Sequence, residues 1–198
     1  MNFLAIRFFT GQIVARGQPV VVPDKEAQLL FTIAAAQPAI CADRIVERLW
    51  PDVDGDAAHN SFHVCLYRLR RHLDAGPLVK HVGRNYILCD EIDVDLQRVR
   101  QHLDTALRAT NITEHYFRQI SAGRAARDAL GGWFDTFNAT VVEALAACTH
   151  RLCDDALAEH DFRRAAGYAA ELLHELPDDE WCVRVLALCN TPVTVAGA

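Results

Sequence analysis

Residues 60–89 read NSFHVCLYRLRRHLDAGPLVKHVGRNYILC, and this stretch decides the fold. Its first half carries apolar residues at Phe62, Leu66, Leu69 and Leu73. Steps of four, three and four place them on one stripe of a helix. The other faces carry Asn60, His63, Val64, Tyr67, Arg68, Arg71 and His72. Such a helix sets one side in a core and turns a basic, hydrogen-bonding side outward. Asp74-Ala75-Gly76-Pro77 stops it, because glycine and then proline end helices. Two short β-prone runs follow, 78–82 and 85–89, around Gly83-Arg84. They predict a hairpin with basic residues near its tip.

Upstream, residues 4–9, 12–15 and 20–22 read as short strands, with turns at Thr10-Gly11 and Arg16-Gly17. Residues 24–37 read as a helix with Leu29, Leu30, Ile33 and Ala34 inward, opened by the acids Asp24 and Glu26 and ended by Pro38. Residues 41–50 predict a second helix, with Ile45, Val46 and Leu49 as its stripe and Pro51 as its stop. Between it and the basic helix lies Asp52-Val53-Asp54-Gly55-Asp56, longer than a tight two-helix turn.

This order of elements resembles the OmpR/PhoB-type winged-helix DNA-binding domain. The resemblance rests on Arg68-Leu69-Arg70-Arg71, Gly83-x-x-Tyr86, Leu49-Trp50-Pro51-Asp52 and Glu26-Ala27-Gln28-Leu29-Leu30, and it covers roughly residues 4 to 96. It implies that residues 60–73 are a recognition helix and the hairpin a wing. Asn60, His63, Val64, Tyr67 and Arg68 would then face the major groove of double-stranded DNA. Arg68 suits a bidentate contact to guanine, and Val64 a thymine methyl. Arg70 and Arg71 would hold phosphates, unless Arg68 and Arg71 pair with acids on a neighbouring element. Lys80, His81 and Arg84 would lie on the backbone or in the minor groove. The resemblance also makes the loop with Asp52, Asp54 and Asp56 a contact for RNA polymerase; the plainer reading is a solvated acidic loop that caps the next helix.

Two departures favour a different class, a protein-interaction adapter that keeps the fold without binding DNA. Asn85 stands where the wing usually has a second glycine, and Cys65 and Tyr67 stand where polar or basic residues are common. Asparagine tolerates a left-handed backbone better than most residues.

The second half is helical. Asp93-Val94-Asp95 resembles the segment that leads, in antibiotic-regulatory-type (SARP) activators, from a winged helix into an all-helical activator domain. Residues 97–108 continue as a helix, and 110–131 are interrupted by Asn111, Ser121-Ala122-Gly123 and Gly131-Gly132. Helical patterns then run over 133–159, from 162 to Pro177, and over 178–188. Ala165, Ala169, Asp161-Phe162 and Pro177 resemble about one and a half tetratricopeptide (TPR) repeats, in which small residues let paired helices approach closely. So short a solenoid has an uncapped end. Trp133, Phe134, Trp181, Val185 and Leu188 are candidates either to complete an internal core or to form a homodimer.

The expected class is therefore α+β: a winged helix-turn-helix over 1–96 with a small antiparallel sheet, and an all-α, TPR-like domain over 97–198. The chain has 198 residues and net charge −6. Residues 1–89 carry 10 Lys+Arg and 8 Asp+Glu, and the remainder 10 and 18, so the acid lies away from the basic helix. Affinity for DNA comes from local cationic clusters, so the overall sign does not exclude it. GxGxxG, GxxxxGK[ST], HExxH and GxSxG do not occur, and the nine histidines are scattered, so no enzyme and no cofactor is expected. The seven cysteines lack CxxC pairing, and Cys148, His150 and Cys153 do not share a helix face, so neither a disulfide framework nor a metal site is expected. No apolar run is long enough for a membrane span, and the start MNFLAIRFFTGQ lacks a signal-peptide pattern, which points to the cytoplasm.

Overall fold

The computed structural model describes residues 4–36, 39–73, 78–104, 110–130 and 132–190. Its first strands are β1 (Leu4–Arg7), β2 (Gln12–Ala15) and β3 (Gln18–Val20), joined as antiparallel neighbours. The β1–β2 turn requires glycine at position 11. Gly11 has φ 62°, and a Cβ there would stand 1.9 Å from Leu130 Cδ1. Phe8 and Phe9, read from sequence as strand, belong instead to this turn.

Three helices follow: α1 (Asp24–Ala35), α2 (Ala42–Leu49) and α3 (Gly55–His72). A two-residue strand, β4 (Ile40–Cys41), precedes α2 and pairs with the later hairpin of β5 (Val79–Val82) and β6 (Asn85–Leu88). The sequence reading placed Cys41 in the helix and did not foresee β4. The helix stops proposed at Pro38 and at 74–77 lie outside the described residues.

The Asp93-Val94-Asp95 segment closes the first sheet. Strand β7 (Asp93–Val94) lies parallel to β1, giving the order β3-β2-β1-β7. Each of its residues has a separate task. Asp93 bridges Arg7 at 2.8 Å and Arg98 at 3.1 Å. Val94 is buried. Asp95 starts α4 (Asp95–Asp104), and its carboxylate accepts backbone N–H groups from Phe8 (2.8 Å), Phe9 (3.3 Å) and Leu96 (2.7 Å). A tight turn leaves such N–H groups without sheet partners, and buried donors must be satisfied.

The chain divides into two units, Met1–Arg98 with Arg124–Ala139, and Val99–Gly123 with Thr140–Ala198. In the first, Phe8 packs edge-on against Phe31 at 4.8 Å and against Phe137 at 6.3 Å, and Phe31 against Phe134 at 5.4 Å. Buried Arg127 donates to the Phe9 carbonyl at 2.8 Å. The short helix α6 (Arg124–Asp128) and the first turns of α7 (Gly132–Ala158) supply these groups.

The second unit is helical: α5 (Thr110–Ala122), most of α7, α8 (Phe162–Leu173) and α9 (Glu180–Asn190). Ala156, Ala165 and Ala169 are fully buried, as close helix pairing requires. His160 ends α7 with φ 59°, while the N–H groups of His160 and Asp161 reach the carbonyls of Leu157 and Ala156. That is a Schellman end with histidine where glycine is usual. Asp161 then caps α8 by accepting from Arg164 N at 3.0 Å. The architecture is α+β: small sheets and three helices first, a mostly helical region after.

Burial pushes the Asp95 carboxyl up from 3.8 to about 6, against the three backbone N–H groups and Arg7, which pull it down. Its stabilising contribution is therefore full below the unfolded value and is lost as pH rises through about 6. Between pH 4 and 7 the native chain should lose on the order of 2–3 kcal/mol relative to Asp95→Asn, read from denaturant midpoints. A difference that stays flat over that range contradicts the assignment.

Candidate nucleic-acid interface

Helix α3 sorts its residues by face. Phe62, Cys65, Leu66 and Leu69 are buried, and Leu73 just beyond it is buried too. Asn60, His63, Val64, Tyr67, Arg68, Arg70, Arg71 and His72 are exposed. Val64 and Tyr67 are 48% and 61% exposed, unusual for large apolar side chains with a core so close. Cys65, counted from sequence as a departure on the reading face, lies instead under the helix. Its thiol donates to the Lys25 carbonyl, and burial pushes it up to about 11.

The helix begins at Gly55, five residues before the sequence reading placed it. Asp56 thus lies in the first turn of α3, not in the loop, where an acid favours the helix N-terminus. Asp54 holds the N-cap position but makes no side-chain cap hydrogen bond. Asp52, Asp54 and Asp56 are all exposed. The loop is held from beneath: Trp50 N donates to the Val46 carbonyl at 2.8 Å, and Lys25 Nζ donates to the Leu49 carbonyl at 2.8 Å.

Among the described residues, Arg68, Arg70 and Arg71 form no ion pair with a carboxylate. Arg71 lies over the Tyr67 ring, 6.0 Å from its centroid. His72 differs: its Nδ1 meets Glu26 Oε2 at 2.5 Å, and this contact ties the end of α3 to the buried start of α1. A cleft of about 370 Å³ opens beside α3, lined by Lys25, Trp50, Asn60, Ser61, Val64 and Arg68.

An aromatic contact joins the wing to α3. The Phe62 ring packs edge-on to Tyr86 of β6, at 5.0 Å and 79°. The His81 ring also lies against Tyr86, its cross-strand neighbour, at 4.8 Å. Arg84 is exposed at the hairpin tip and, among the described residues, has no acidic partner. Lys80 does have one, in Asp90, which holds its ammonium in the charged form.

The turn also settles the question raised by Asn85. Val82 pairs with Asn85 across a two-residue loop, and Gly83 takes φ 65° while Arg84 does not take a positive φ. Glycine first in a two-residue hairpin is the II′ arrangement. Position 85 is ordinary strand and needs no second glycine.

Comparison with family models and with curated proteins gives no match. Among solved structures, the fold is similar to that of Mycobacterium tuberculosis EmbR, determined in complex with a low-affinity phosphopeptide. The likeness has a TM-score of 0.63 at 19% identity, covering 96% of this chain and 55% of EmbR. It concerns the fold. This chain spans about half the length of that neighbour.

Proposed function

We propose that this chain is a sequence-specific transcriptional regulator that binds double-stranded DNA, with α3 in the major groove and the β5–β6 wing on the backbone or in the minor groove. The observation that carries the reading is the outward face of α3. It combines hydrogen-bonding side chains, an exposed valine and three arginines that have no carboxylate partner among the described residues, beside a hairpin tipped by Arg84. A fold-only role would not call for arginines with no carboxylate partner among the described residues to lie with exposed Val64 and Tyr67 on one helix.

In this reading Asn60, His63, Val64, Tyr67 and Arg68 read base edges, while Arg70, Arg71 and Arg84 hold phosphates or a narrow groove. His81, packed against Tyr86, and Lys80, tethered by Asp90, make weaker contributions. Asp52 and Asp54, exposed and not engaged in capping, form with Asp56 an acidic face for a basic partner such as RNA polymerase. The helical region supplies a second contact, to another copy or to polymerase. Phe134 and Val185 do not serve it, being buried within their own units, and the Trp133 side chain lies outside the described residues. Leu188 and Val183 on α9 remain, at 56% and 49% exposure. No helix among the described residues is long and apolar enough to cross a membrane.

Selection of duplexes from a random pool by the purified chain should yield a defined site. Arg68→Ala should then cost about 1–3 kcal/mol on that site and relax the preference at one base pair. An unchanged affinity and preference removes Arg68 from the reading face. Sedimentation at micromolar concentration tests the second contact. A dimer that Leu188→Glu dissociates fits a homodimer through α9; a monomer at all concentrations assigns that face to a different partner.

A further inference from the structure

Three metal-ligating side chains converge in the helical unit, and the sequence spacing gave no sign of it. His150 projects from the middle of α7, Asp179 immediately precedes α9, and Cys182 lies in the first turn of α9. The neighbours considered from sequence, Cys148 and Cys153, are both buried in the helical core, and neither joins His150. Instead His150 Nε2 lies 3.2 and 3.1 Å from the two Asp179 oxygens. The donor atoms of His150, Asp179 and Cys182 all lie within 4.8 Å of one another.

We propose that His150, Asp179 and Cys182 form a site for a borderline divalent cation of the zinc class. The chemistry of the set favours that class, because one imidazole, one carboxylate and one thiolate are all zinc ligands and only the carboxylate suits calcium or magnesium. The geometry is close to what such a cation needs. Ligand distances of about 2.0 Å for nitrogen and oxygen and 2.3 Å for sulfur give tetrahedral edges of roughly 3.3–3.5 Å. The imidazole and carboxylate already stand at that spacing, and the thiol has about an ångström to travel.

The surroundings hold the ligands in place. Asp179 Oδ1 accepts from Cys182 N at 2.8 Å, which orients the carboxylate as outer hydrogen bonds do at metal sites. The Trp181 ring lies 5.0 Å from the His150 ring. Cys182 is fully buried while the His150 side chain is 38% exposed, so the site has a closed floor and one open side where water would complete four ligands. On ligation the Cys182 thiol gives its proton to solvent and the thiolate binds the cation, so no redox partner is involved. The cation would clip α9 to α7. It would thereby fix the relative position of these two helices. This inference is independent of DNA binding.

Cobalt(II), added to the purified full chain, is the test. One ion per chain should bind, with a near-ultraviolet sulfur-to-cobalt charge-transfer band that zinc abolishes by displacement. Cys182→Ser should remove the band, and His150→Gln should weaken binding by roughly tenfold or more. Zinc should raise the unfolding temperature of the native chain by about 5 °C and leave His150→Gln unmoved. Absence of a band in the native chain, or an undiminished band in Cys182→Ser, overturns the proposal. Should Cys182→Ser fail to fold, His150→Gln, altered at a half-exposed position, decides: cobalt affinity equal to that of the native chain overturns it.

Discussion

Burial of one stripe of α3 constrains everything that its opposite stripe can do. Phe62, Leu66 and Leu69 are at most 5% exposed, and burial of each is worth about 1.5–3 kcal/mol. A one-residue rotation of the helix would bring out these groups and take in Arg68 or Tyr67. The core therefore fixes the azimuth of the outward face without any contact to that face. Phe62 extends the constraint to the wing, because its edge-on contact with Tyr86 places the β5–β6 hairpin beside the same face. The proposed reading head is thus two elements linked through the Phe62–Tyr86 pair.

A second constraint holds the first unit closed. The β1–β2 turn leaves the Phe8 and Phe9 amides facing inward, and Asp95 receives both. Asp93, on β7, gathers Arg7 of β1 and Arg98 of α4. The short acidic segment is therefore a latch between the sheet and α4, formed where segments 87 residues apart in sequence meet. Its cost is a buried carboxylate, which is why its protonation leans toward the neutral form as pH falls.

Much of this was legible in the sequence, for reasons that can be named. The period of Phe62, Leu66, Leu69 and Leu73 is a local signal, and it separated the faces of α3 correctly. Gly83 marked the hairpin because a two-residue turn needs a positive φ there. Other features depend on distant partners. Strands β4 and β7, two residues each, exist only because β6 and β1 offer hydrogen bonds to them. Phe134 and Phe137 lie in a long helical pattern, and nothing local reveals that Phe31 and Phe8 receive them. Asn85 looked like a lost glycine, but the strain sits two residues earlier. The start of α3 was missed because Gly55 is a poor helix former, and the packing of Ala58 and Phe62 overrides that preference. His150, Asp179 and Cys182 are scattered along the chain, so only the pairing of α7 with α9 could bring them together.

The central claim is that the exposed cations of α3 and the wing meet phosphates and base edges. The dependence of duplex affinity on salt tests it most directly, because each neutralised phosphate releases counterions. With Arg70, Arg71 and Arg84 on phosphates, the slope of log affinity against log salt should be about −3 per copy bound. A slope near zero, or no binding to any duplex at low salt, would contradict the account and leave the fold as a scaffold for protein contacts alone.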